Sequence, residues 1–283
     1  YFLIIVGNHM MKKYNFSKQN YLFDISVKNV LTNKAMILLT DNCKLIIESN
    51  NTEMAFSEGA IIFIERGIRF SYRIQKINKD YPPCKIIKIN KEDLIKLRHI
   101  LHEAYPLILN EKSLSRNMED KIFKQNYNDE SRKLFKSIFL EHENNFKALK
   151  IAYLISKMDS REKLIMSIYA SAATTFSDRI RELIEKDLSK KWRLNMIADA
   201  FNISEVSVRK RLEAENISFY KILADSRMNK ALTLLLDSDY HLPKIAKCVG
   251  ISSSSYLIKT FKHRFGVTPK QMSIYFRCGG QTV

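Results

Sequence analysis

Leu242-Pro-Lys-Ile-Ala246-Lys-Cys-Val-Gly250-Ile-Ser252-Ser-Ser-Ser-Tyr-Leu-Ile-Lys-Thr-Phe261 decides the fold of the C-terminal part of this chain. It reads as a short helix with a small residue at Ala246, a turn at Gly250, an apolar Ile251, and a second helix capped by Ser252. The same order stands earlier as Leu194-Asn-Met-Ile-Ala198-Asp-Ala-Phe-Asn202-Ile-Ser204-Glu-Val-Ser-Val-Arg-Lys-Arg-Leu212. One match is weak, because any compact helix pair needs a small residue and a turn. Two matches on one basic chain predict a double helix-turn-helix that lays two recognition helices on one face of DNA.

The wider composition agrees without locating the site. The 283 residues leave room for two domains, and 46% of them are hydrophobic, with only 7 glycines and 5 prolines. A formal net charge of +17 suits a polyanionic partner, although a chain this rich in Lys, Ile and Asn also reflects a biased genome. Positions 175–283 hold 19 Lys/Arg against 11 Asp/Glu, and the rest holds 28 against 19, so positive charge is spread along the chain. Cys43, Cys84, Cys248 and Cys278 lie far apart with no C-x-x-C pair, so free thiols in a cytoplasmic protein are expected. Phe2 to Val6 is too short for a signal sequence or a membrane span, and no membrane role is expected. The chain starts at Tyr1, with Met10 and Met11 standing where a start fits, so residues 1–10 are read as an upstream or non-native extension.

The two halves differ in period. Leu22 to Val30, Ala35 to Leu39, Leu45 to Glu48, Ala60 to Ile64, Ile68 to Ile74 and Cys84 to Ile89 read as short strands separated by turn residues. That spacing predicts a sandwich or small barrel. From Lys91 the period turns helical, with a less ordered stretch to about Tyr127. Helices follow at 130–142, 144–158, 161–173 and 176–188, with Asp159-Ser160 and Ser177-Asp178 as N-terminal caps. The fold class is α+β: an N-terminal β-barrel or sandwich, a helical middle, and an all-α C-terminal domain.

Helical spacing also sorts the outer faces of the two readers. Val208 and Leu212 face inward with Ile197 and Phe201, which leaves Val206, Ser207, Arg209 and Lys210 outward. In the second copy Leu257 and Phe261 face inward, and Ser254, Ser255, Ile258 and Lys259 face outward. Basic side chains there can donate to guanine O6 and N7, serines serve several base edges, and Val206 or Ile258 can meet a thymine methyl. Tyr220 to Leu236 predicts an amphipathic connector helix with Leu223, Met228, Ala231, Leu232 and Leu235 inward. Arg227, Lys230, Lys262, His263 and Arg264 are candidate phosphate contacts.

Tyr256-Leu-Ile-Lys-Thr-Phe-Lys-His-Arg-Phe-Gly266-Val-Thr-Pro269-Lys-Gln resembles the C-terminal motif of the AraC/XylS-type transcription regulators. Leu257 replaces that motif's aromatic residue, and Asn202 replaces its first turn glycine. Both are tolerable, since Leu257 stays apolar and Asn adopts left-handed backbone angles readily. Glu65-Arg-Gly-Ile, Phe176-Ser-Asp, Ile184-Glu-Lys-Asp-Leu-Ser-Lys-Lys-Trp192 and the first reader resemble the enteric virulence activators of that family. The resemblance implies a cupin-like effector-binding domain over 11–100, a helical linker and dimerisation region over 101–174, and the DNA-binding domain over 175–283. It also implies activation of fimbrial or other virulence promoters, with double-stranded DNA and RNA polymerase as partners. The protein would then work in the cytoplasm, associated with the nucleoid.

Several members of this group are similar in holding a fatty acid between the barrel and the DNA-binding domain, which implies such an effector at that place here and no required cofactor. A carboxylate at the mouth of an apolar cavity needs basic partners. Lys34 aligns with a carboxylate-binding lysine of the group, and Lys88 alternates with apolar neighbours so that it can point inward. Tyr21, Phe23, Ile25 and Ile64 are candidates for the cavity wall. Against this, Leu236 stands where relatives carry a third basic group, and Lys34 and Lys88 also read as lysines that protect a sheet edge.

Catalysis finds no support: there is no H-E-x-x-H, phosphate loop or G-x-S-x-G, so no catalytic residue is assigned. His99 and His102 share a helical face without a third ligand, so no metal is assigned. The rival readings are an anti-silencing DNA binder that displaces a nucleoid protein, and an effector sensor with a vestigial reader. The intact caps and apolar contacts of both readers argue against the latter. The helices over 130–173 offer a homodimer surface, but two readers already cover an asymmetric site, so monomer and homodimer both stay open.

Overall fold

The computed structural model describes residues 24–49, 52–105, 116–125, 128–140 and 146–277. They fall into two compact units: residues up to Ala173 together with those from Gln271 onward, and Thr174–Lys270.

The first unit is built on eight strands, β1 (Asp24–Leu31), β2 (Met36–Leu39), β3 (Cys43–Ser49), β4 (Thr52–Phe56), β5 (Ile61–Ile64), β6 (Arg69–Lys76), β7 (Lys85–Lys88) and β8 (Ile122–Gln125). They pair into two antiparallel four-stranded sheets, in the orders β1-β6-β3-β4 and β7-β2-β5-β8. Among the described residues no strand pairing joins the sheets, so of the expected barrel and sandwich the closed barrel is not formed, and the strands make two open sheets. The two strands that the sequence reading does not include, β4 and β8, lie at sheet edges. Thr52-Glu-Met-Ala-Phe56 is half exposed, and Ile122-Phe-Lys-Gln125 is only 4 residues long, so neither carries a strong apolar alternation.

Burial explains the strand sequences. In β6, Phe70, Tyr72, Ile74 and Lys76 are buried and alternate with more exposed residues, as a sheet with one solvated face requires. Met36-Ile-Leu-Leu39 and Ile61-Ile-Phe-Ile64 are buried at every position. Their odd-numbered side chains Ile37, Leu39, Ile61 and Phe63 share a core with Leu97, Phe135, Ile151 and Ile168. These last four come from α1 (Lys91–Ala104), α2 (Asp129–Leu140), α3 (Lys147–Ser156) and α4 (Arg161–Ala172). The second sheet therefore has helices on one face and its own apolar even-numbered row on the other. A continuous apolar run is what burial on both faces demands.

Polar contacts pin these layers. Glu65, just after β5, accepts from Ser167 of α4 and pairs with Arg116 at 2.5 Å, and both charged groups are largely buried. Asp41 receives Lys85 and Arg132, which ties the β2–β3 turn to β7 and α2. Ser160 stands at the N-cap of α4, but its side chain makes no capping bond there. His102 bonds through Nδ1 to the Tyr169 hydroxyl at 2.9 Å, so that histidine is committed to packing α1 on α4.

The second unit contains α5 (Phe176–Glu185), α6 (Leu194–Ala200), α7 (Glu205–Ala214), α8 (Phe219–Asp237), α9 (Leu242–Cys248) and α10 (Ser254–Phe265). The last helix, α11 (Pro269–Arg277), groups with the sheets from Gln271 onward. There Tyr275 donates to the Ile74 carbonyl at 3.0 Å, with the Lys76 ammonium over its ring. Among the described residues no helix is long and apolar enough to cross a membrane.

Candidate nucleic-acid interface

Each reader is a scaffold helix followed by a helix, a turn and a recognition helix. In the first, α5 carries a capping box in which Thr175 accepts from Asp178 N–H and Asp178 accepts from Thr175 N–H. The cap is therefore Thr175, two residues before the expected Ser177-Asp178 pair. The turn from α6 to α7 places Asn202 at φ 52°, and Ile203 N–H donates to Ala198 O at 3.0 Å. The turn from α9 to α10 repeats this with Gly250 at φ 68° and Ile251 N–H on Ala246 O at 2.9 Å. Asparagine and glycine are the two residues that enter the left-handed region at least cost.

The copies part after the turn. Ser204 caps α7 by accepting from Ser207 N–H, but α10 is capped by Ser253 accepting from Tyr256 N–H. Ser252 is not the cap. The second turn is one residue longer: Ala246 follows Ala198 by 48 positions, whereas Ser253 follows Ser204 by 49. Beyond the cap the interiors agree, with Val208 and Leu212 buried in α7 and Leu257, Phe261 and Phe265 in α10.

The expected readers occupy the outer faces of their two helices. Val206 is 57% exposed, and Arg209, Lys210, Ser255 and Lys259 are exposed. Ser207, Ser254 and Ile258 are half-buried, and the Ser207 hydroxyl bonds to that of the capping Ser204 at 3.0 Å. Arg209 lies along α7 against Glu205 at 3.2 Å, an exposed pair that costs little to break. Aligned on the caps, the half-buried Ser207 corresponds to Tyr256, which is 57% exposed. Four serines in a row, Ser252 to Ser255, hide which one starts the helix, so the sequence alone does not put Tyr256 on the outer face. Beside α7, a cleft of about 490 Å³ brings Arg209 together with Arg193 and Tyr220.

Two of the five expected phosphate contacts serve another purpose. Arg227 donates to the Leu188 and Lys190 carbonyls at 3.3 and 3.1 Å, and Arg264 is buried against Asp225. Lys230, Lys262 and His263 are exposed. The connector α8 also departs from an amphipathic pattern. Leu223, Met228, Ala231, Leu232 and Leu235 are buried as expected, but so are Asp225, Ser226, Asn229 and Thr233. The reason is that α8 packs on both α5 and α9, so more than one face is covered. Its 19 residues make a rod about 28 Å long.

The candidate ligand residues divide between the sheets. Met36 is opposite Lys88 on one side and Ile64 on the other, so these three form one row on the face turned away from the helices. Lys88 is half-buried on the edge strand β7, and Ile64 is fully buried. Lys34 is half-buried in the bend before β2. Ile25 belongs to the other sheet, buried opposite Ile74. Tyr21 and Phe23 lie outside the described residues.

Comparison with known proteins agrees with this architecture. A helix-turn-helix domain family matches residues 197–273. Rns, a DNA-binding dual transcriptional regulator of Escherichia coli, is 40% identical over 255 residues, covering 90% of this chain and 96% of that protein. VirF, a virulence regulon transcriptional activator of Shigella flexneri, is 34% identical over 261 residues, covering 90% and 99%. The crystal structure of unsaturated fatty acid-bound ToxT from Vibrio cholerae has a similar fold, with a TM-score of 0.64 at 17% identity over 94% of this chain and 98% of that one. With its paired readers and a 40% identical relative matched nearly end to end, the chain belongs to the AraC/XylS-type family of helix-turn-helix transcription regulators.

Proposed function

We propose that this protein is a sequence-specific transcription activator that reads promoter DNA with α7 and α10 in successive major-groove segments. The observation that carries this reading is the duplicated three-helix reader, in which each recognition helix buries one apolar row and leaves basic, hydroxyl and apolar side chains outward. Val206, Ser207, Arg209 and Lys210 form one reading face, and Ser254, Ser255, Ile258 and Lys259 the other. Tyr256 joins the second by its exposure. Similarity to VirF, named as a virulence regulon activator, and to AggR, named as a transcriptional activator, supports control of virulence genes, with RNA polymerase as the protein partner and the cytoplasmic nucleoid as the place of action. The helices α2–α4 are the candidate surface for a homodimer.

The effector in this reading is a fatty acid. Its chain would lie among Ile25, Ile64 and the other apolar side chains of the inward faces, and its carboxylate would take Lys34 and Lys88. Support comes from the Lys88–Met36–Ile64 row and from the ToxT structure named for its bound fatty acid.

Footprinting of promoter DNA followed by transcription with purified polymerase tests the proposal. Two protected segments on one face of the duplex, with activation by the protein and polymerase alone, are expected. Activation only when a silencing nucleoid protein is present would make the protein an anti-silencer instead. Uniform binding to any duplex would sink both.

A further inference from the structure

The two readers share a third feature that is absent from their sequence repeat. Counting from the capping serines, the eleventh residue onward is Glu215 in the first reader and Arg264 in the second. Glu215 accepts through Oε1 from Phe176 N–H at 2.7 Å and through Oε2 from Ser177 N–H at 3.1 Å, on the first turn of α5. Arg264 places Nη1 2.5 Å from Asp225 Oδ1 on α8, with the two side chains 14% and 1% exposed. Asp225 follows Ser177 by 48 positions, the same offset that relates Ala246 to Ala198. Each recognition helix is thus fastened near its C-terminal end to the equivalent point of its own scaffold helix.

The opposite charges have a physical cause. Helix α5 begins at Phe176, so its first N–H groups have no intrahelical acceptor and carry the positive end of the helix dipole. A carboxylate satisfies them directly. Helix α8 begins at Phe219, and by Asp225 its backbone N–H groups already bond within the helix. Only a side chain can serve as the anchor there. That side chain is the acid Asp225, and α10 supplies the cation.

We propose that Glu215 and Arg264 are positioning residues that set the angle at which α7 and α10 leave their scaffold helices. They thereby set how each reading face meets DNA. Neither needs to touch a base: Arg264 is consumed by a buried partner, and Glu215 by backbone donors. Without its anchor a recognition helix can pivot on its apolar row, and only the contacts of that reader fall out of register. This inference rests on the DNA-reading proposal above.

The test is footprinting of Glu215→Ala, Glu215→Gln, Arg264→Met and Asp225→Asn on a promoter that the unaltered protein protects. Unfolding followed by Trp192 fluorescence checks each variant. Arg264→Met and Asp225→Asn are expected to lower affinity by about tenfold, with protection lost over one segment and kept over the other. Glu215→Ala is expected to lose the opposite segment, and Glu215→Gln, which keeps an acceptor oxygen, to restore most of it. Inserting one base pair between the segments should penalise the unaltered protein more than Arg264→Met. Folded variants that protect both segments normally, or lose both equally, overturn the inference. Should Arg264→Met fail to fold, Asp225→Asn and Arg264→Lys are read in its place. If the unaltered protein protects no defined segment, the DNA reading itself fails and this inference falls with it.

Discussion

Gly250 sits so close to Arg227 that a Cβ added to it would lie 2.7 Å from the Arg227 Nη2, and closer still to the Leu188 carbonyl that Arg227 caps. The second turn therefore depends on glycine twice, for its left-handed φ of 68° and for the space that this packing leaves. Gly250→Ala should destabilise the protein by about 2 kcal/mol or more, from strain and overpacking together. Asn202→Gly, at the matching turn, should change stability by only about 0.5 kcal/mol. Denaturant unfolding monitored through the single tryptophan, Trp192, checks both. Equal losses at the two turns would remove the packing argument.

The outer faces of α7 and α10 make separate demands on DNA. Arg209→Ala and Lys259→Ala should each lower specific affinity by about 1–3 kcal/mol if the side chain reaches a base. Tyr256→Ala should cost about 1 kcal/mol and leave unfolding unchanged, since its ring is 57% exposed. Titrations on specific and scrambled duplexes decide the assignment. A residue whose loss weakens both equally is a phosphate contact.

Fatty-acid control predicts a stability change that needs no DNA. Ligand at about 100 times its Kd adds about 2.7 kcal/mol to the folded state, which a thermal melt detects readily. Lys88→Ala and Lys34→Ala should shrink that shift, because each removes a cation from the carboxylate end. A melt that does not move at saturating long-chain fatty acid would sink the effector proposal.

Asp41 links stability to acid pH. Burial by itself would raise its carboxyl, but hydrogen bonds from Lys85 and Arg132, and their charges, outweigh this and hold it below the ordinary carboxylate range. A depressed folded-state pKa contributes stability that is present above the unfolded value, about pH 4, and is lost as pH falls through the folded value. Asp41→Asn should therefore destabilise the protein at pH 7, with the difference from the unaltered protein narrowing below about pH 4. Parallel denaturant titrations across that range measure it, and a difference that stays constant into acid would exclude the linkage.

Legibility in the sequence followed the range of the interactions. Asn202, Gly250, Val208, Leu212, Leu257 and Phe261 were readable because turn chemistry and helical periodicity act over a few residues. The cap of α10 lies one residue beyond Ser252, since Ser252 and Ser253 are equally good caps and only the folded turn chooses between them. Strands β4 and β8 are not legible because β4 is half exposed and β8 is only 4 residues long, so neither shows an apolar alternation of its own. The polar face of α8 read as solvated, yet Asp225 and Asn229 are buried because two readers share that helix.

The sequence alone establishes that the chain carries two readers and which face of each is apolar. These properties follow from spacing along one helix. Only the tertiary structure decided that Arg227 and Arg264 are anchors while Lys230, Lys262 and His263 remain exposed. It also decided that Lys88 and Ile64 share a row and that Glu215 and Asp225 occupy equivalent anchoring points. An arginine's charge is the same in groove, solvent and core. Its role is set by what lies opposite, and that partner is supplied by residues distant along the chain.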